Sequence, residues 1–306
     1  LSAGRVSSIQ TPGGCGALRI GAEIMYAAAP DARVWISDPT WPVHIPLVGS
    51  VGLRFETYRY YDPASHGVNF DGMVADLQNA RAGDVVLLHG CCHNPSGADL
   101  SLDQWRVLSQ MAEAQGFTPF VDIAYQGLGE GLEEDAAGLR MLVECLPEVV
   151  IAASCSKNLG LYRERTGAAI FVCQDGANAE AILSHAKAAA RRVYSMPPAH
   201  GALLAGRVLA DPQLDEIWRA ELAQMCGRIN RLRAELRAAL EQASGRDFAF
   251  IEREKGMFSF LGLSPAQAQR LREEFSVYML DSSRINVAGV NAGNIDYLAQ
   301  SVAKVL

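Results

Sequence analysis

The stretch EVVIAASCSKNLGLYRERTG, Glu148 to Gly167, changes character at Ser154. The residues from Glu148 to Ala153 are nearly all apolar, and a continuous run of that length reads as a strand buried on both faces. The residues after it cannot belong inside such a strand: Ser154, Cys155, Ser156, Lys157, then Arg163 and Arg165. A lysine at a strand end is either a solvated charge or an amine held where its charge is disfavoured. The rest of the chain has to decide between them.

Four further runs share the pattern: Val34–Ser37, Val85–His89, Phe120–Asp122 and Ala168–Cys173. Between the runs lie helix-period stretches, among them Gly16–Ala29, Leu102–Ala114 and Glu133–Leu146. Apolar strands alternating with helices predict an α/β fold with a mostly parallel sheet covered on both faces. Ligands of such sheets sit at the carboxyl ends of the strands. From Pro212 to about Ser244, apolar residues recur at steps of three or four, which predicts one long amphipathic helix. The expected division is a large domain over 1–212, then this helix and a small C-terminal domain over 213–306. In the latter, FAFIE, MFSFLGL, VYML and RINVAG read as strands, and SPAQAQRLREEF and the C-terminus as helices. Ser264 and Pro265 suit the N-cap and first position of a helix.

Composition narrows the classes of function. Half of the 306 residues are apolar and a fifth charged, as in ordinary globular chains. No apolar run approaches the ~18 residues of a membrane helix. A net charge of −7 gives no basic surface for nucleic acid. Seven cysteines, an odd number without CxxC spacing, suit reduced thiols in a cytoplasmic protein. The start, LSAGRVSSIQTPGG, has no methionine and reads as a chain entered in mid-domain, so a preceding segment is expected to be missing.

The strand ends carry the chemistry. DPTWPVH, with Trp41 and His44, follows the first run, and HGCCHNPSG, with Asn94, follows the second. Asp122 closes the third, with Tyr125 just beyond it. A glycine-rich turn, TPGGCGALR, opens the first helix. Pyridoxal phosphate needs a lysine amine for its Schiff base, an acid for its ring nitrogen and an anion site for its phosphate. Helix N-termini bind phosphate through free N–H groups.

Five motifs, SCSKNLGLYRERTGA, HGCCHNPSGADL, VDIAYQGLGEGLEEDAAGLR, YSMPPAHGA and DSSRINVAG, together resemble the aspartate and aromatic amino-acid aminotransferases, from about Gln10 to Leu306. The resemblance implies a fold type I enzyme with a seven-stranded, mostly parallel sheet and a ping-pong transfer of an amino group to 2-oxoglutarate. Lys157 would carry the cofactor and shuttle a proton. Asp122 would pair with the ring nitrogen, Asn94 and Tyr125 with the ring oxygen, and Trp41 would stack on the ring. Ser154, Arg165, Gly14 and Cys15 would hold the phosphate. Cys15 stands where the family usually carries threonine, and a thiol is the weaker donor. Arg284 would clamp the substrate α-carboxylate, and Arg191 would reach into the neighbouring subunit of a homodimer to read a second carboxylate. The wording of the motifs leans towards aromatic substrates, with aspartate second.

Other readings stay open at this stage. A chain lacking its first segment could hold the cofactor with little activity, or act on aspartate alone. The histidines and cysteines of HGCCH suggest zinc, but they occupy consecutive positions without a second ligand cluster, so no metal is expected. His44 could contact Asp122 or be an ordinary loop residue. His200 reads as structural, and only one of the neighbours Arg191 and Arg192 can point into a site.

Overall fold

The computed structural model describes residues 4–306, so the first three positions of the expected large domain lie outside the described residues. In chain order the strands are β1 (Val6–Pro12), β2 (Arg33–Asp38), β3 (Arg54–Arg59), the short pair β4 (Tyr61–Asp62) and β5 (Gly67–Val68), β6 (Val85–His89), β7 (Thr118–Ile123), β8 (Val149–Ser154), β9 (Thr166–Val172), β10 (Phe258–Phe260) and β11 (Arg284–Asn286). The helices are α1 (Gly13–Ala28), α2 (His44–Gly49), α3 (Phe70–Leu77), α4 (Leu102–Gln115), α5 (Ala137–Cys145), α6 (Gly176–Val193), α7 (Ala199–Ala210), α8 (Pro212–Ser244), α9 (Phe250–Arg253), α10 (Pro265–Phe275) and α11 (Ile295–Val305).

Seven strands form one sheet in the order β1-β9-β8-β7-β6-β2-β3. β3, β2, β6, β7 and β8 are parallel, while β9 runs antiparallel to both β8 and β1. That single reversal brings the start of β9, with Arg165 just before it, beside the carboxyl ends of its neighbours. Pairing Ser154 with Gly167 and Pro12 with Thr166 fixes the register there. The expected seven-stranded, mostly parallel α/β sheet is therefore present.

The unbroken apolar runs follow from two covered faces. Along β6, Val85 and Leu87 pack with Ile20 of α1, Ile36 and Phe120. Val86 and Leu88 face the opposite cluster, with Trp105, Leu108 and Leu142 of α4 and α5. Helix α8 has the bounds the periodicity predicted. Asp211 caps it through Oδ1 to the N–H of Gln213, Pro212 stands in the first turn, and Gly245 ends it at φ 69°. Its Leu222 and Ile229 pack with the sheet, whereas Leu232, Leu236 and Leu240 join Ile251, Leu271, Val287 and Val302 in a third cluster. One helix thus shares two cores.

Two expected strands are not strands. FAFIE gives the short helix α9, because Phe248, Phe250 and Ile251 all bury in the third cluster and that spacing fits one helical turn as well as a strand. VYML remains irregular with Met279 buried. The edge strands β1 and β3 have mostly part-exposed residues and left no apolar run to read. All seven cysteines are free, and Ser264 forms the expected cap: its Oγ accepts from the Gln267 N–H, and its own N–H donates to Gln267 Oε1.

Helix α1 lies so close to the sheet that a Cβ on Gly21 would sit 2.5 Å from the Phe120 ring. Alanine in a helix interior ordinarily stabilises by about 0.5–1 kcal/mol over glycine. Gly21→Ala should instead destabilise by about 1–3 kcal/mol through overpacking, read as a lower urea midpoint at unchanged m-value. A higher midpoint would contradict this packing.

Candidate active site

A cavity of about 200 Å³ opens at the carboxyl ends of the strands. β8 delivers Ser154, and the turn after it carries Lys157 into the cavity. The turn is closed by the Gly160 N–H bonding the Lys157 carbonyl at 3.1 Å, and α8 secures it through Trp218 Nε1 donating to the Asn158 carbonyl at 2.8 Å. Lys157 Nζ stands 4.4 Å from the centre of the Tyr125 ring. Burial pushes its ammonium below the usual range. Arg165 adds to that, while Asp122 and Cys15 oppose it.

β7 carries Asp122 one residue before its end. Its Oδ2 accepts a bond of 3.0 Å from His44 Nε2, and its Oδ1 is buried with no partner. For His44 Nε2 to donate, Nδ1 must accept, and the Thr40 hydroxyl lies 2.8 Å away to supply that proton. Thr40 Oγ1 is in turn 3.2 Å from His89 Nε2. Burial alone would raise the Asp122 pKa. The hydrogen bond from His44, helped by the imidazoles of His44 and His89 and by the Lys157 amine nearby, outweighs it and holds the carboxyl below the usual range. Burial keeps His89 neutral, well below its ordinary pKa, helped by His93 and His44.

The loop after β6 brings Asn94, whose Nδ2 is 3.4 Å from the Tyr125 hydroxyl. Arg284 Nη1 donates to Asn94 Oδ1 at 3.2 Å, and its guanidinium lies 4.7 Å from the Phe258 ring centre. Burial raises the Tyr125 phenol, so it stays protonated at neutral pH. At the other end of the cavity, α1 starts without a side-chain cap, and Gly14, Cys15, Ser154 and Arg165 line the wall around it. Gly13, at φ 71°, has to lack a side chain: a Cβ there would lie 2.7 Å from Arg165 Nη2. Trp41 lines the cavity and meets His44 edge-on, ring centres 5.3 Å apart.

Of the expected site residues, the cavity brings together Gly14, Cys15, Trp41, Asn94, Asp122, Tyr125, Ser154, Lys157 and Arg165. Arg284 joins them through Asn94. Arg191 does not: it is exposed in the last turn of α6 and bonds Ser195 Oγ. Arg192 pairs instead with Glu23 at 3.2 Å. His200 forms a surface pair with Glu164. Sequence reasoning missed His89 and Tyr162 as cavity walls, although each sits within five positions of a residue it had chosen. Cys91, Cys92 and Asp135 approach within 4.8 Å of one another. The Asp135 oxygens, however, already accept the N–H groups of Gly127, Gly129 and Glu130, which makes that carboxylate a loop clamp.

The profile of the family described as aminotransferase class I and II matches residues 1–302. The chain belongs to that family. It is 48% identical to the aromatic-amino-acid aminotransferase of Paracoccus denitrificans, over all of this chain and 78% of the relative. It is 46% identical to the aspartate aminotransferase of Escherichia coli strain K12, over 99% of this chain and 76% of the relative. The solved aromatic-amino-acid aminotransferase of Burkholderia pseudomallei, covalently bound to pyridoxal phosphate, superposes with a TM-score of 0.98 at 44% identity, covering 100% of this chain and 77% of that one.

Class I aminotransferases use pyridoxal phosphate, and the cavity of this aminotransferase fits that group. The buried, unpartnered Asp122 Oδ1 is an ionised acceptor waiting for a cationic N–H donor. The uncapped N-terminus of α1, beside Ser154 and Arg165, is an anion cradle.

Because the folded pKa of Asp122 is depressed, its stabilisation is present above the unfolded value near ~4 and is lost as pH falls through the folded value. His44→Leu removes the bond to Oδ2 and should cost the cofactor-free protein about 1–3 kcal/mol at neutral pH. Thermal unfolding across pH should show that difference shrinking on the acid side as Asp122 protonates. A difference independent of pH would assign His44 to packing alone.

Proposed function

We propose that this aminotransferase transfers the amino group of aromatic amino acids, with aspartate as second substrate, to 2-oxoglutarate by a ping-pong reaction. The observation that carries the reading is the convergence of Lys157, Asp122 with its open Oδ1, and Asn94 with Arg284 at one strand edge. Pyridoxal phosphate, when bound, supplies a carbonyl carbon for the amine and a ring that accepts the electron pair released at the substrate α-carbon.

The residues supply the rest. Lys157 holds the cofactor and then moves the α-proton, and its lowered pKa makes a free amine available nearer neutral pH. Asp122, kept ionised by its bond from His44, would hold a proton on the ring nitrogen. Asn94 and Tyr125 would donate to the ring oxygen, Trp41 would stack on the ring, and Gly14, Cys15, Ser154 and Arg165 would hold the phosphate. Arg284, oriented by Asn94 and Phe258, takes the substrate α-carboxylate.

We also propose a homodimer with shared sites, in which Arg191 reads a dicarboxylate side chain across the interface. Met196, Leu203 and Ile217 are 76%, 70% and 63% exposed, apolar side chains that a second copy would cover. A division near residue 212 into a large and a small domain is supported by the separate third cluster. A cytoplasmic setting accords with the seven free cysteines. Among the described residues no helix is long and apolar enough to cross a membrane.

The test is a visible spectrum of the protein with pyridoxal phosphate, then with phenylalanine or aspartate. The expected result is an absorption band lost on adding either amino acid, and borohydride label on Lys157. A band that ignores both would leave only a cofactor-holding chain. Arg191→Leu should lower kcat/KM for aspartate by at least about 30-fold, roughly 2 kcal/mol, and spare phenylalanine. Equal loss for both would remove Arg191 from substrate choice.

A further inference from the structure

Behind the Arg284 clamp lies a buried ionic cluster that the reaction does not use. Arg233 of α8 and Glu254 are each 1% exposed. Arg233 grips the backbone around Glu254. Nη1 donates to the Ile251 carbonyl at 2.9 Å, and Nη2 donates to Gly256 at 2.7 Å and to Phe258 at 2.6 Å. Its contact with Glu254 Oε2 is the longest of the set, 3.4 Å from Nη1. Oε2 also bonds Ser259 Oγ, and Glu254 Oε1 is buried with no partner. A carboxylate needs better company than this. A neutral acid does not.

The gripped segment is the support of the clamp. Phe258, whose carbonyl Arg233 holds, carries the ring beneath the Arg284 guanidinium. The Lys255 N–H donates to the Gly97 carbonyl at 2.7 Å, three residues beyond Asn94. Gly97 has no room for a side chain: a Cβ would lie 2.5 Å from the Phe258 carbonyl. Arg233 therefore steadies both neighbours of Arg284, Phe258 directly and Asn94 through Gly97.

We propose that Glu254 is a positioning residue whose protonation state sets how firmly Arg284 is held. As the neutral acid it leaves Arg233 to the backbone carbonyls. As the carboxylate it draws the guanidinium off Gly256 and Phe258 and loosens the platform under Arg284. The inference rests on the reading of Arg284 as the substrate-carboxylate clamp.

The surroundings put this change within working pH. Burial pushes the Glu254 carboxyl up to about 8, against the opposing pull of Ser259, Arg233 and Arg253. Tyr61 of β4 faces it and stays protonated, raised first by its own burial and then by Glu254. Lys255 is occupied by Glu130 at 2.7 Å. Asp99 and Cys92 act on Arg233 from the large sheet's side. With the folded pKa above the unfolded one, the contribution of the neutral acid is complete below the unfolded value and is lost as pH rises through about 8.

Glu254→Gln keeps the volume and cannot ionise. The experiment titrates the pyridoxal-phosphate-loaded wild type, Glu254→Gln and Arg284→Leu with maleate, an unreactive dicarboxylate, between about pH 6.5 and about pH 9.5. The wild type should match Glu254→Gln at the acid end and bind at least about fivefold more weakly at the alkaline end, with the midpoint near 8. A wild-type to variant ratio that stays flat, while Arg284→Leu loses maleate, overturns the role of Glu254 and leaves the clamp intact. Undiminished maleate binding by Arg284→Leu removes the clamp reading, and this inference with it. A pH-dependent difference in Tm without the affinity step would make Glu254 a purely structural acid, which also overturns the proposal.

Discussion

A carboxylate buried under a sheet is tolerated only if something keeps it charged, and Asp122 sets that constraint on everything around the cavity. Its Oδ2 takes the proton of His44 Nε2, which commits His44 Nδ1 to Thr40, which in turn faces His89. Each member comes from a different segment: β7, α2, the loop after β2, and β6. The chain of bonds fixes one histidine tautomer and leaves the other carboxylate oxygen buried and unpaired beside the cavity that Asp122 lines. An acid arranged so has a use only with a cationic donor bound in front of it.

The sheet explains why the donors meet. Six strands running the same way end on one edge, and the antiparallel β9 begins there, so Trp41, Asn94, Asp122, Lys157 and Arg165 arrive from residues up to 124 apart in sequence. Continuous apolar strands, buried on both faces, cannot hold charged groups along their length. The polar residues collect where the strands stop. The same rule that made the strands readable from sequence made the site readable.

Legibility failed where the burial was one-sided or local. The long helix α8 could be read nearly to its ends because three-and-four periodicity ran through all of it. FAFIE could not, because two phenylalanines and an isoleucine within four positions satisfy a strand and a helical turn alike, and only the third cluster decides. Edge strands β1 and β3 alternate exposed and buried residues too weakly to stand out. Within the site, Lys157 and Asp122 were legible because ionisable groups at strand ends invite a chemical reading. His89 and Tyr162 were not, since a histidine and a tyrosine in a wall are the ordinary furniture of cores. HGCCH tempts in the opposite sense: its ligand-like Cys91 and Cys92 lie close to Asp135, but that carboxylate is committed to loop N–H groups.

Arg233 and Glu254 lie beyond sequence reading altogether. Both fall on stretches where a charged residue looks like a solvated helix face or loop, yet each is shut off from water. What buries them is the closing of the third cluster against the sheet through α8, a long-range event with no local signature. The arginine repays its burial with bonds to carbonyls that no helix or strand satisfies, which is the usual way a guanidinium is kept inside. The glutamate has no such return, because one oxygen is empty and the other shares a hydroxyl and a distant Nη1. Asp122 and Glu254 are therefore opposite solutions to one problem. The first is buried but bonded, and stays charged for its ligand. The second is buried and under-bonded, and takes up a proton instead, so the two ends of the active site answer to pH in opposite directions.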